Sequence, residues 1–144
     1  LGVVAEVILF LLMPMLVPRF GLRKLLLLSL LLAALRWLVI GFYVDTLWLL
    51  IVAQTLHAAS FGIYHASAIE LIHRYFTGPH QGKGQALYSS LSFGAGGAMG
   101  SLYSGLIWDS AGATVAFFIA SSVALLALVI SWVWILPETH LKRI

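Results

Sequence analysis

Apolar residues run along this chain in long stretches, broken in four places by short polar connectors, three of which contain proline or glycine. Runs of this length suit helices that cross hydrocarbon, since about 20 residues at 1.5 Å of rise span ~30 Å. The pattern predicts five spans, at about 1–18, 25–43, 47–73, 85–107 and 113–136. Pro14 is expected to bend the first, which ends at Pro18 before the connector Arg19-Phe20-Gly21-Leu22-Arg23-Lys24. Tyr43 to Thr46, Thr77 to Gly82 and Asp109 to Gly112 supply the other connectors. No span has the basic start and cleavage-type ending of a signal peptide.

Composition supports the same solvent. With 62% hydrophobic and 9% charged residues the chain has too little polar surface to clothe a soluble globule of 144 residues. The net charge of +3 does not point to nucleic acid, because all but one of the 8 Lys and Arg sit in connectors and helix ends and not along one face. The absence of Cys excludes a disulfide framework, thiol catalysis and cysteine-ligated metal.

The connectors also orient the bundle. Arg19, Arg23, Lys24, Arg74, Lys83, Lys142 and Arg143 fall on one side, whereas the opposite connectors carry Asp45 and Asp109 and no Lys or Arg. By the positive-inside rule the first helix starts outside and the tail ends in the cytoplasm. Tyr43, Trp48 and Trp108 then mark the outer interface, Trp132 and Trp134 the inner one. Because Leu1 begins within a helix, and five helices with an outside start insert awkwardly, upstream spans are expected to be missing.

Three ionisable residues break the apolar runs at similar depth: Glu6, Arg36 and His57. Each costs roughly 2.5–3.5 kcal/mol at mid-membrane, so such groups face inward and mark ion or substrate paths. Glu6 lies thirteen residues before Arg19 and Arg36 twelve after Lys24, each roughly 18–20 Å from the cytoplasmic ends of antiparallel neighbours. The two are expected to pair. Gln54, His57, Phe61 and His65 return to one side of the third helix and form a stripe suited to a cavity wall. The pattern reads as part of a membrane transporter. For Glu6 and Arg36 the other reading is a static ion pair that fixes packing. For His57 it is a hydrogen bond to a neighbouring helix. His65, near the cytoplasmic end, is assigned that structural reading.

Other signals are weaker. One Glu-x-x-His, Glu70 to His73, falls short of a di-iron set, and no zinc-protease motif occurs, so no metal or cofactor is expected. No nucleophile-base pair emerges, which argues against an enzyme. Gly94 to Gly100 lacks the spacing of a phosphate loop. Gly96, Gly100 and Ser104 instead make a small-residue step expected to let the fourth helix pack closely on a neighbour. The fifth helix, with only Thr114, Ser121, Ser122 and Ser131 as polar interior positions, is expected to face lipid.

On Gly2 to Glu6, Pro18 to Lys24, Leu35-Arg36-Trp37 and Gln54 to Gly62, the chain resembles the C-terminal half of a major facilitator superfamily transporter. The resemblance covers nearly all 144 residues and lies in the lactose-permease-like branch that includes phenylpropionic acid transporters and nucleoside:proton symporters. It implies an all-α membrane protein in which these five transmembrane helices are the eighth to twelfth of a twelve-helix carrier, with the N-terminal half of the same polypeptide as partner. It also implies a bacterial inner (plasma) membrane location, and a small-molecule substrate with protons as the other partners. In that family Glu6 corresponds to a carboxylate linking substrate and proton sites, and Arg36 to an arginine that aids deprotonation. His57 falls in the region of proton coupling. Gln54, His57, Phe61 and Trp37 are the candidate substrate contacts. The turn with Arg19, Gly21, Arg23 and Lys24 resembles a degenerate gating motif without its acidic residue, and topology alone is the other account of its charges. No carboxylate follows His57 at Ser60 or Phe61, which fits an aromatic-acid carrier better than a sugar carrier. The expected function is proton-coupled symport by alternating access. The alternative is a non-transporting scaffold or receptor whose buried polar groups only fix packing.

Overall fold

Two glycines turn this chain back on itself with almost no loop. Gly21, at φ 81° and ψ 148°, separates helix α1 (Gly2–Phe20) from α2 (Leu22–Phe42). Gly112, at φ 88° and ψ 167°, separates α6 (Gly96–Ala111) from α7 (Ala113–Trp134). Backbone of this kind is open essentially to glycine alone. The expected six-residue connector after Pro18 is therefore a single residue. Proline removes only its own N–H from the ladder, and α1 runs through Pro14 and Pro18 to Phe20.

The computed structural model describes residues 2–43 and 45–135; the end of the expected fifth span, with Lys142 and Arg143, lies outside them. Between the two reversals come α3 (Leu47–His57), α4 (Ile63–Tyr75) and α5 (Gln81–Ser89). A π-turn, Ala58–Gly62, joins α3 to α4, and a second, Ser90–Ala95, joins α5 to α6, giving five rods in all among the described residues. A short 3-10 turn, Gly78–His80, leads into α5. This is an all-α membrane architecture. Val3–Phe20, Leu22–Phe42, Leu47–Tyr75 and Ala113–Trp134 are each long and apolar enough to cross a membrane. The expected span at 85–107 lies in the remaining rod, 81–111, which runs on through the second π-turn and whose many glycines and serines leave it less apolar than those four.

The core is organised around α2. Leu22, Leu26 and Leu30 pack with Leu71 of α4 and with Ala127 and Leu128 of α7. One turn round, Leu25 meets Met13 of α1 and Ile63 of α4. The expectation that the fifth helix faces lipid holds for only part of its surface. Ser121 is 2% exposed and donates to the Ala34 carbonyl of α2 at 3.0 Å, while Phe118 meets Phe42 edge to face. A serine hydroxyl on an apolar helix signals such a contact without naming its partner.

Candidate functional site

Glu6 reaches the third rod because α1 approaches the first π-turn at its glycine. A Cβ on Gly62 would lie 3.0 Å from Leu9 Cδ2 and 3.9 Å from Glu6 Cγ. Small residues at helix crossings permit this approach. His57 closes α3 just before the turn, and its Nε2 lies 3.1 Å from Glu6 Oε1. The contact is an ion pair when the imidazole is protonated and a hydrogen bond donated by Nε2–H when it is neutral. The other ring nitrogen, Nδ1, is buried without a partner.

The expected pairing of Glu6 with Arg36 is replaced by this contact. Equal depth along two helices does not settle direction around them, and Arg36 points elsewhere. Its guanidinium lies over the Trp37 ring, 4.1 Å from the centroid, and its Nε is buried without a hydrogen-bond partner. A charge at this depth costs roughly 2.5–3.5 kcal/mol. A desolvated cation over an indole offsets about 2 kcal/mol of that. Arg36, 8% exposed, lines a cleft of about 250 Å³ between α2 and the first π-turn, together with Trp37, Phe61 and Tyr64. It remains within electrostatic range of His57.

From His57 an aromatic column descends along the third rod. The rings of His57 and Phe61 stack at 5.5 Å and 9° between planes, and those of Phe61 and His65 at 5.9 Å and 2°. In a regular α-helix successive i, i+4 positions drift around the axis, by roughly 40° per step. The π-turn takes in an extra residue and winds back against that drift, which keeps the three rings in line. Tyr88 and Phe93 of the fourth rod close the lower end: Tyr88 Oη lies 3.1 Å from His65 Nδ1, and Phe93 meets Phe61 and His65 edge to face. His65 thus belongs to the same column as His57. Its i, i+8 spacing from His57 places it on the stripe, while its position near the helix end argues by itself for a purely structural assignment. Phe93 had no such signal.

The remaining candidates are dispersed. Gln54 sits one turn before His57, exposed. Trp37 stacks on Phe117 of α7 at 5.7 Å, so it forms a wall between the Arg36 cleft and a larger groove against α6. Ser104 lines that groove, but a Cβ on Gly100 would meet nothing within 4 Å, and one on Gly96 only the Leu91 carbonyl of its own rod. The expected close packing on Gly96 and Gly100 is therefore not formed among the described residues, and α6 meets α7 farther along, where Ser101, Ser104 and Trp108 border the groove with Ala116, Phe117 and Ala120. In the basic turn, Arg23 Nη2 donates to the Trp132 carbonyl at 2.6 Å. That carbonyl is in the last turn of α7, where a helix leaves acceptors without intrahelical donors. Arg19 lies over Phe20 and Lys24 is exposed. Among the described residues no group of three or more His, Cys, Asp or Glu is gathered for a metal.

Comparison with known proteins agrees with this architecture. The chain is 34% identical over 128 residues, 89% of its length, to a protein of Escherichia coli (strain K12) described as a probable 3-phenylpropionic acid transporter. It spans about a third of that relative's length. No solved structure matches it. The family model described as MFS_1 like family matches residues 1–119. By that match and that identity, the chain belongs to the MFS_1-like family of transporters within the major facilitator superfamily.

Proposed function

We propose that this chain forms the cavity-lining C-terminal half-bundle of a proton-coupled symporter for a small organic solute, an aromatic acid ahead of a nucleoside or a sugar. The observation that carries this reading is the Glu6–His57 contact at 3.1 Å, set at the head of an aromatic column in the middle of an apolar bundle. A carboxylate paired with an imidazole is net neutral with the proton bound, and on losing it the pair carries one negative charge that the Nε2–H still hydrogen-bonds. The E. coli relative's description favours an aromatic acid. Transport then proceeds by alternating access, this half rocking against an N-terminal half around a midplane site. Arg19, Arg23, Lys24, Arg74 and Lys83 support a cytoplasmic placement of their helix ends in a bacterial inner membrane.

Uptake of labelled 3-phenylpropionate, uridine and lactose by the intact polypeptide, with and without a protonophore, tests the reading. Accumulation of the aromatic acid that collapses with the protonophore is expected, as is loss of accumulation in Glu6→Gln with exchange of bound substrate retained. Full accumulation by Glu6→Gln would falsify the coupling role, and no uptake of any solute would return the protein to a scaffold. The chain has no Cys. In an intact polypeptide freed of any Cys outside it, single cysteines placed at Asp45 and Lys83 should label from opposite sides of the membrane.

A further inference from the structure

Arg36 is more than nine-tenths buried and has no acid within salt-bridge distance among the described residues. The carboxylate expected to neutralise it is engaged by His57. Its guanidinium borders a cleft of about 250 Å³, somewhat below the ~300–1,000 Å³ of pockets for drug-sized ligands. The walls are aromatic: Trp37, Phe61 and Tyr64. The two serines on the lining, Ser29 and Ser60, donate their hydroxyls to the Leu26 and His57 carbonyls of their own helices. The cleft therefore offers a charged fork of donors against flat apolar faces. From this we infer that Arg36 anchors the carboxylate of an aryl-alkanoic acid whose ring lies against Trp37, Phe61 and Tyr64.

The chemistry selects one class of solute. A guanidinium pairs with a planar carboxylate through two parallel N–H···O bonds, a fit that a hydroxyl or an amide does not reproduce. A sugar would find both serine hydroxyls already donating and, besides Arg36, no charged group to use. Phe61 belongs both to this cleft and to the column that starts at the Glu6–His57 contact, so an occupant would share a ring with the proton site. This assignment rests on the reading of the chain as an aromatic-acid carrier, and moves Arg36 from partner of Glu6 to contact of the substrate.

The test is equilibrium binding of 3-phenylpropionate and of its neutral isostere 3-phenylpropanamide to the purified intact polypeptide. The wild type should prefer the acid by roughly thirtyfold, the scale of one charge-assisted bidentate contact. Arg36→Gln should bind the two ligands alike, with its affinity for the amide within about threefold of wild type. A variant that keeps the preference for the acid overturns the anchor and leaves the transport reading intact. A wild type that binds neither ligand overturns both. Should Arg36→Gln fail to fold, Arg36→Lys decides: about a tenfold loss for the acid alone supports the anchor, and an equal loss for both ligands overturns it.

Discussion

Replacing both members of the Glu6–His57 contact, singly and together, measures what that contact contributes. Glu6→Met removes the carboxylate at similar volume, and His57→Phe keeps a ring on Phe61 while removing both nitrogens. A hydrogen bond to a charged group contributes about 1.5–3 kcal/mol when water is excluded. The Glu6 side chain is 16% exposed and that of His57 32%, so these five rods enclose the imidazole side only in part. That exposure moves the value toward the ~0.2–1 kcal/mol of solvated pairs, and a coupling of about 1 kcal/mol is expected. Each single variant should cost more than the coupling alone, because the survivor of the pair is left partly buried without its partner. The assay is reversible unfolding of the purified protein in mixed micelles for wild type, the two single variants and the double variant. Single effects that add to the double within about 0.3 kcal/mol would show the two residues to be independent and the 3.1 Å contact energetically empty.

Other consequences can be measured in the same way. Gly62→Val should destabilise by about 1–3 kcal/mol, since even a Cβ there stands 3.0 Å from Leu9 and α1 must yield. The same variant should lower transport more than Gly82→Val, where a Cβ meets open space. Gly21→Ala and Gly112→Ala should each cost about 1–3 kcal/mol in unfolding assays, because alanine at φ near +80° to +90° is strained. Ser121→Ala should cost only about 0.6 kcal/mol, the usual value of one hydrogen bond between membrane helices. A loss several times larger would mean that Ser121 does more than bond to Ala34.

Helix number and the class of solvent were legible because apolar length is a one-dimensional property, and the turns followed wherever proline or glycine broke it. The stripe of His57, Phe61 and His65 was legible for the same reason, since spacing along one helix fixes a shared face. Partner choice was not. Glu6 and Arg36 lie at similar depth, yet which of two cations a carboxylate meets depends on rotation of α1 and α2 about their axes. That rotation is set by Gly62 and by the packing of Met13, Leu25 and Ile63. The π-turns left no periodic trace either, because five or six residues of wider winding resemble ordinary helix in an apolar run. The small-residue step at Gly96 and Gly100 finds no neighbour among the described residues, since a glycine permits a neighbour without supplying one.

The second and last helices are fastened at several levels along their length. Near one end Arg23 grips the Trp132 carbonyl, midway Ser121 grips Ala34, and toward the other end Trp37 and Phe42 lie against Phe117 and Phe118. Two poles lashed at top, middle and bottom cannot slide past one another. Any tilt imposed on one is delivered whole to the other, so this pair forms the stiff spar of the bundle, and bending falls to the rods that carry the wide turns.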